Sequence, residues 1–410
     1  MYIPDSPGGP DNTNQHFLVV PLPNGTFLAM WTMGSRENGT NQHMVSSRST
    51  DEGRTWSVPI VIDGPSSTDP AGAGLASWGF PIVAPALKRV YCFYVKNTGV
   101  QDVREADTGV LRARWSEDDG KTWSREFHDF EFGRSSYSPT DPKIPQTFIV
   151  YQVPFVAPDG TVIAGFTRQA SRTVFPGPPG KSGGWDRPSE VNFLHFTNVL
   201  KEKDPRKLKI LTYPEGNGLR ASQEMVHTAA RRNVMEEPTV QALSDGRYIC
   251  VLRTFKGTVD FSLSNDKGKT WSAPDTLRYA PGGTPILNPI SPCPLYRLKD
   301  GRYLLVFFNN DGGPGGPGDF RKNRTPAWFT VGREIPGHPT HPIRFGTPRI
   351  LADNGAAPLG TEKRTEIGTY TSFFEWKGKH YFWYPDRKHF LLGKILSEDL
   401  LNSADPGAKA

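Results

Sequence analysis

The sequence predicts an all-β fold, one β-propeller domain spanning residues 1–410, and three observations carry that prediction. A short pattern recurs three times at fixed spacing, hairpin signals run from one end to the other, and helical periodicity is almost absent. The pattern is Ser49-Thr50-Asp51-Glu52-Gly53-Arg54-Thr55-Trp56, Ser116-Glu117-Asp118-Asp119-Gly120-Lys121-Thr122-Trp123 and Ser264-Asn265-Asp266-Lys267-Gly268-Lys269-Thr270-Trp271, each reading S-x-D-x-G-x-T-W. Such a segment makes a tight turn between strands. The Asp accepts backbone N–H groups, the Gly takes positive φ, and the Trp packs the turn against the next layer.

The hairpins follow in chain order. The first turns at Pro23-Asn24-Gly25, and a second, weaker one at Leu87-Lys88-Arg89 precedes the apolar run Val90-Tyr91-Cys92-Phe93-Tyr94. Four more turn at Ala157-Pro158-Asp159-Gly160, Leu243-Ser244-Asp245-Gly246, Leu298-Lys299-Asp300-Gly301 and Trp376-Lys377-Gly378. Spaced roughly 55 to 90 residues apart, they mark six four-stranded blades, with room for a degenerate seventh. A chain of 410 residues would ordinarily divide into two or three domains. Here the repeat runs on with no linker break. The Gly/Pro-rich stretches 175–180 and 311–318 each fall just after the second strand of a blade, and are expected to be rim loops.

Composition narrows the function. Cys92, Cys250 and Cys293 are odd in number and lack C-x-x-C spacing, so they read as small core residues. No apolar run approaches the roughly 18 residues of a membrane span. The opening Met1-Tyr2-Ile3-Pro4-Asp5 has no leader, so a soluble, cytoplasmic protein is expected, or a secreted or periplasmic one if a leader was trimmed. A net charge of +6, with basic residues scattered among acidic ones, fits an anionic ligand and does not announce nucleic acid.

Within a blade, strand 1 starts at the mouth of the propeller and strand 2 returns there, so the hairpin turn serves as a ruler. Eight residues back from the turn Asn or Asp lie His16, Tyr151 and Glu237. Seven or eight forward from the turn Gly lie Thr32, Thr167 or Arg168, and Arg253. His43 stands where the first blade's third strand begins, and Tyr370 precedes the last hairpin. These side chains are expected to converge on one end of the barrel. Each has a plainer alternative: His16 as a hydrogen-bonded core residue, Glu237 and Arg253 as a structural ion pair, Arg168 capping a loop, Tyr151 and Tyr370 as ordinary strand tyrosines.

The triple turn resembles the Asp-box of the sialidase-like superfamily, whose members are β-propellers. Glu236-Glu237-Pro238-Thr239, Asp245-Gly246-Arg247 and Arg253 resemble the sialidase E-P-T, D-G-R and R motifs, and Tyr370-Thr371-Ser372 resembles the motif carrying the sialidase nucleophile. The pattern departs on the first strand, where His16-Phe17-Leu18 replaces the R-I-P motif that starts the family's three-Arg carboxylate clamp. That substitution is similar to the propeller polysaccharide lyases, the ulvan lyases and L-rhamnose-α-1,4-D-glucuronate lyases. The resemblance implies a β-elimination at a uronic acid, with His16, His43, Tyr151 and Arg168 catalytic and Glu237, Arg253 and Tyr370 binding substrate. Arginine would neutralise the uronate, and His and Tyr would serve as base and acid. The implied partner is an acidic oligo- or polysaccharide. No cofactor is required; a structural Ca²⁺ is allowed, although no ligand cluster names it. The alternatives are an exo-glycosidase of rhamnosidase or sialidase type using the same mouth, and a non-catalytic glycan-binding propeller.

Overall fold

The structure, a computed structural model, describes residues 2–4, 8–66, 73–176, 187–221, 233–313, 323–360 and 362–408. Its strands pair antiparallel in chain order. The first sheet comprises β1 (Thr13–Pro21), β2 (Phe27–Gly34), β3 (His43–Ser49) and β4 (Ile60–Asp63). Next come β5 (Ala76–Ala84), β6 (Arg89–Lys96), β7 (Thr108–Ser116) and β8 (His128–Phe130). They are followed by β9 (Gln146–Ile149), β10 (Phe155–Val156), β11 (Val162–Gln169), β12 (Ser189–Phe196) and β13 (Ile210–Tyr213). Then follow β14 (Met235–Ala242), β15 (Tyr248–Thr254), β16 (Asp260–Ser264) and β17 (Asp275–Thr276). A further sheet holds β18 (Leu295–Arg297), β19 (Tyr303–Phe307), β20 (Ala327–Glu334), β21 (Ile343–Phe345) and β22 (Arg349–Ala352). The last holds β23 (Ser372–Trp376), β24 (Lys379–Asp386) and β25 (Phe390–Leu396), after which the short helix α1 (Glu398–Asn402) starts from an Ser397 cap.

All six expected hairpins are present, each with a left-handed residue in its turn: Gly25, Lys88, Gly160, Gly246, Gly301 and Gly378. The blade count departs from the expectation. β9 pairs with both β7 and β11, which fuses β5 to β13 into one nine-stranded sheet. The described strands thus form five sheets, the nine-stranded one and four others, and the β-propeller arrangement counts four blades rather than six or seven. The seam is made at the start of β7, where Thr108 pairs with Thr147 and Gly109 with Gln146 of β9. Across it the Thr108 and Thr147 hydroxyls pair at 2.8 Å. Main-chain pairing of this kind leaves no repeat in the sequence. The last sheet has three strands of its own, and Tyr2 pairs with Leu391 at its edge (3.0 and 3.1 Å).

The three recurring turns share the same Ser, Asp, Gly and Thr bonds, while the Trp indole donates to the turn glycine's carbonyl in the first and third and to Ser46 in the second. Ser49, Ser116 and Ser264 donate their hydroxyls to Asp51, Asp118 and Asp266 at 2.8, 2.8 and 2.9 Å, and each serine oxygen accepts the turn glycine's N–H at 2.8 Å. Each Asp also takes the N–H and the hydroxyl of the pattern's Thr. This explains why Ser and Thr recur as strictly as Asp. The residue before each Gly is also left-handed (Glu52, Asp119 and Lys267, φ 60 to 62°), which the sequence reading did not anticipate.

The core lies between the sheets and is strongly aromatic. Phe80, Phe93, Phe130, Phe148, Phe166 and Phe196 pack within the nine-stranded sheet, while Phe17, Trp31, Tyr381 and Trp383 join the first sheet to the last. The three cysteines are buried and free. The expected rim loops at 175–180 and 311–318 fall largely outside the described residues. No helix among the described residues is long and apolar enough to cross a membrane.

Candidate active site

Three first strands carry the same irregularity. The register of β1 shifts between Gln15 and Leu18, that of β5 between Ser77 and Phe80, and that of β14 between Glu236 and Thr239. Inside each shift a non-glycine residue adopts positive φ: His16 at 45°, Trp78 at 53° and Glu237 at 50°. Such a bulge re-aims a side chain and costs roughly 1–3 kcal/mol of backbone strain, so it persists only where surrounding bonds enforce it. Those bonds are on the preceding second strands. Thr32 accepts the Trp78 N–H at 2.9 Å and Thr167 accepts the Glu237 N–H at 2.7 Å.

The bulges bring a charged cluster to the end of the barrel. The Tyr370 hydroxyl donates to Glu237 Oε1 at 3.2 Å and accepts from Arg253 Nη1 at 3.2 Å, and that nitrogen also bonds Glu237 Oε2 at 2.5 Å. Trp78 packs 5.8 Å from the Tyr370 ring, Tyr151 stands edge-on to it at 6.0 Å, and Lys388 Nζ lies 5.2 Å from its centroid. All of these side chains are buried. Burial pushes the Tyr370 hydroxyl pKa well up, the Glu237 charge pushes it further, and Arg253 pulls against both. Burial works against the Arg253 charge, but Glu237, Tyr370 and Glu236 outweigh it and raise its pKa.

Further charges surround this group. Arg324 donates to the Ile290 carbonyl, and its pKa is lowered by burial and then by the like charge of Arg253. Arg104 is ion-paired with Asp107, whose other oxygen accepts the Trp78 indole N–H at 2.7 Å. Lys388 Nζ bonds both oxygens of Glu37 at 2.7 Å. Although burial opposes it, Lys388 and Arg364 hold Glu37 far below the usual carboxylate range.

The structure brings Glu237, Arg253, Tyr370 and Tyr151 together as the ruler indicated, with Tyr151 bonding Thr239 at 2.7 Å. His16 joins through Trp78, ring to ring at 5.2 Å. Both of its nitrogens have partners, the Gly79 carbonyl at 2.9 Å and the Thr32 hydroxyl at 3.4 Å, and burial lowers its pKa to about 4. The expected pairing with His43 does not appear. His43 stands two strands out, on β3, with Nδ1 against the Asn41 carbonyl at 2.8 Å. Strands lie about 4.8 Å apart, so a shared first-to-third-strand position still separates two side chains. Arg168 is likewise placed elsewhere. Its guanidinium bonds Glu190 at 2.6 Å, Asn192 at 2.7 Å and Gln146 at 2.8 Å, all within the nine-stranded sheet, and the Gly133 carbonyl in the connection between β8 and β9.

Sequence reasoning missed Trp78, Arg104, Asp107, Glu236, Arg324 and Lys388. Trp78 follows Ser77 in the β5 register shift as His16 follows Gln15 in that of β1, but eight residues back from the residue before the left-handed turn position lies Gly79, so the count misses Trp78 by one. Glu236 lies on β14 beside Glu237, and the others sit in connections between strands that carry no repeat. Among the described residues no group of three or more His, Cys, Asp or Glu side chains could hold a metal ion.

A profile described as a BNR repeat-like domain matches residues 25–326. No curated protein matches the chain in sequence. Among solved structures the fold is similar to the Hadza microbial sialidase Hz136, at 13% identity and a TM-score of 0.63 over 96% of this chain and 67% of that one. It is similar too to the intramolecular trans-sialidase from Ruminococcus gnavus (14%, 0.60, 97% and 98%) and the NanB sialidase from Streptococcus pneumoniae (12%, 0.61, 98% and 70%). At these identities the likeness is one of fold.

Proposed function

The chain belongs to the BNR repeat-like domain family, and from that premise we propose that it is a carbohydrate-active enzyme of glycoside-hydrolase type, cleaving a glycosidic bond through Tyr370. One observation carries the reading: the Tyr370 hydroxyl lies 3.2 Å from both the Glu237 carboxylate and the Arg253 guanidinium at the axial end of the barrel. A phenol buried in this way is a poor nucleophile unless its proton leaves as it attacks. Glu237 is positioned to take that proton, and Arg253 to stabilise the charge that develops on the oxygen. Attack at the anomeric carbon would leave the glycosyl group on Tyr370, and water would release it in a second step. The sialidases of similar fold support a sugar that carries a carboxylate, and so do Arg253 and Arg324, two neighbouring buried cations that an anion would bridge. His16, neutral at pH 7 with a pKa of about 4, would contribute no charge to that clamp.

Elimination has less support, because Arg168 is engaged by Glu190 and both His16 nitrogens are bonded. Incubation with sialyllactose and with rhamnose-capped glucuronate oligosaccharides separates the two chemistries. Hydrolysis yields saturated sugars, and Tyr370→Phe should lower turnover by at least about 10³-fold with an unchanged melting temperature. A product absorbing in the near ultraviolet, with Tyr370→Phe still active, would replace this reading by elimination.

A further inference from the structure

We propose that Glu236 protonates the departing glycosidic oxygen, a role that rests on the Tyr370 reading above. Consecutive residues of a regular strand point to opposite faces. The bulge at Glu237 breaks that alternation, so Glu236 and Glu237 both reach Arg253, at 3.6 Å from Nε and 2.5 Å from Nη1 respectively. Two neighbouring carboxyls facing one guanidinium are not both held ionised, since a single cation compensates one charge. Glu237 has the short ion pair and the bond from Tyr370. Glu236 has the long contact, and its buried Oε1 has no hydrogen-bond partner among the described residues.

The other carboxyls of the cluster are occupied differently. Both oxygens of Glu37 lie on Lys388 and one also on Arg364. Asp107 is held by Trp78 and Arg104. Glu366 is ion-paired with Arg364 at 2.5 Å. Glu236 alone among these combines a buried, unpartnered oxygen with no close cation of its own. Burial raises its pKa, Arg253 opposes, and the Glu237 charge raises it again, a net shift toward the neutral form. An unpartnered buried oxygen costs about 1–3 kcal/mol, and a bound glycosidic oxygen would complete it.

The step balances as follows. The Tyr370 oxygen forms its bond to the anomeric carbon while its proton passes to Glu237. The bond to the leaving oxygen breaks, its electron pair stays on that oxygen, and the Glu236 proton neutralises it.

Leaving-group dependence tests the assignment, using 2,4-dinitrophenyl glycosides and matching disaccharides of N-acetylneuraminic acid, glucuronic acid and L-rhamnose. Glu236→Gln should slow disaccharide cleavage by about 10²–10⁴-fold and the dinitrophenyl glycosides by less than about tenfold, because only the disaccharide needs the proton. The fall in kcat/KM at high pH should disappear in Glu236→Gln and persist, at lower rate, in Glu236→Asp. Labelling by fluorinated glycosyl fluorides, located by mass spectrometry, reports on Tyr370 independently. A labelled Tyr370 with equal losses on both leaving groups and an unchanged alkaline limb would overturn the role of Glu236 alone. No label and no cleavage of any probe would overturn it together with the Tyr370 reading.

Discussion

Arg168 shows how a side chain at a catalytic-looking position can have its guanidinium engaged by protein partners. It is fully buried and pairs with Glu190, which also bonds Arg220 at 2.7 Å. Removing one partner of such a buried pair leaves an uncompensated charge and costs about 3–5 kcal/mol. Arg168→Ala should therefore lower the urea midpoint sharply. An unchanged midpoint with a raised KM for acidic glycans would return Arg168 to the substrate. Arg253 differs in this respect, since its partners Glu237 and Tyr370 are the groups to which the proposed reaction assigns the proton transfer and the attack.

The recurring turns and the strand bulges carry the organisation at the level of elements. In the turns, Ser, Asp and Thr replace the backbone partners that a tight reversal leaves unmet, and Gly takes the left-handed position. Packing makes the first turn stricter than an ordinary hairpin. A Cβ on Gly53 (φ +85°) would lie 2.3 Å from the Trp383 ring, whereas one on Gly246 (φ +88°) would meet nothing within 4 Å. Gly246→Ala should cost about 1 kcal/mol from conformation alone, and Gly53→Ala about 2–4 kcal/mol from conformation plus overpacking. Thermal melts of the two variants compare them directly; equal shifts would show that Trp383 yields freely. The bulges do the converse work, holding non-glycine residues in left-handed backbone so that their side chains meet at the barrel end.

Closure and acid response belong to the whole molecule. The ring closes where Asn14 bonds the Lys388 and His389 carbonyls (2.6 and 3.0 Å) and Phe17 bonds the Tyr370 carbonyl at 3.0 Å, so the first sheet positions Tyr370, which leads into β23 of the last. Two buried histidines, His16 and His195, have pKa values lowered to about 4, in both cases chiefly by burial. The unfolded chain takes up protons near 6.5 that the folded chain refuses until about 4. Stability should accordingly fall as pH drops through that window, by about 1.4 kcal/mol per pH unit for each histidine fully shifted. Asp260, raised to about 6 by burial, acts the other way below pH 6. Chemical denaturation between pH 4 and 7 should show the net loss, and His16→Gln should flatten it; a slope unchanged in that variant would place the proton uptake elsewhere.

The sequence by itself determined the all-β class, the three S-x-D-x-G-x-T-W turns, the six hairpins and the convergence of Tyr151, Glu237, Arg253 and Tyr370. These rest on local chemistry, in which turn residues and strand periods repeat and a fixed count from a turn locates a strand end. Tertiary structure alone decided the seam between β7 and β9, the placing of His43 and Arg168, and the company of Trp78, Arg104, Glu236, Arg324 and Lys388. Each of those depends on which chains meet across sheets, on a bulge that turns one residue out of alternation, or on charges matched between distant loops. No local pattern records such pairings, because the energy that selects them arises only when the partners are buried together.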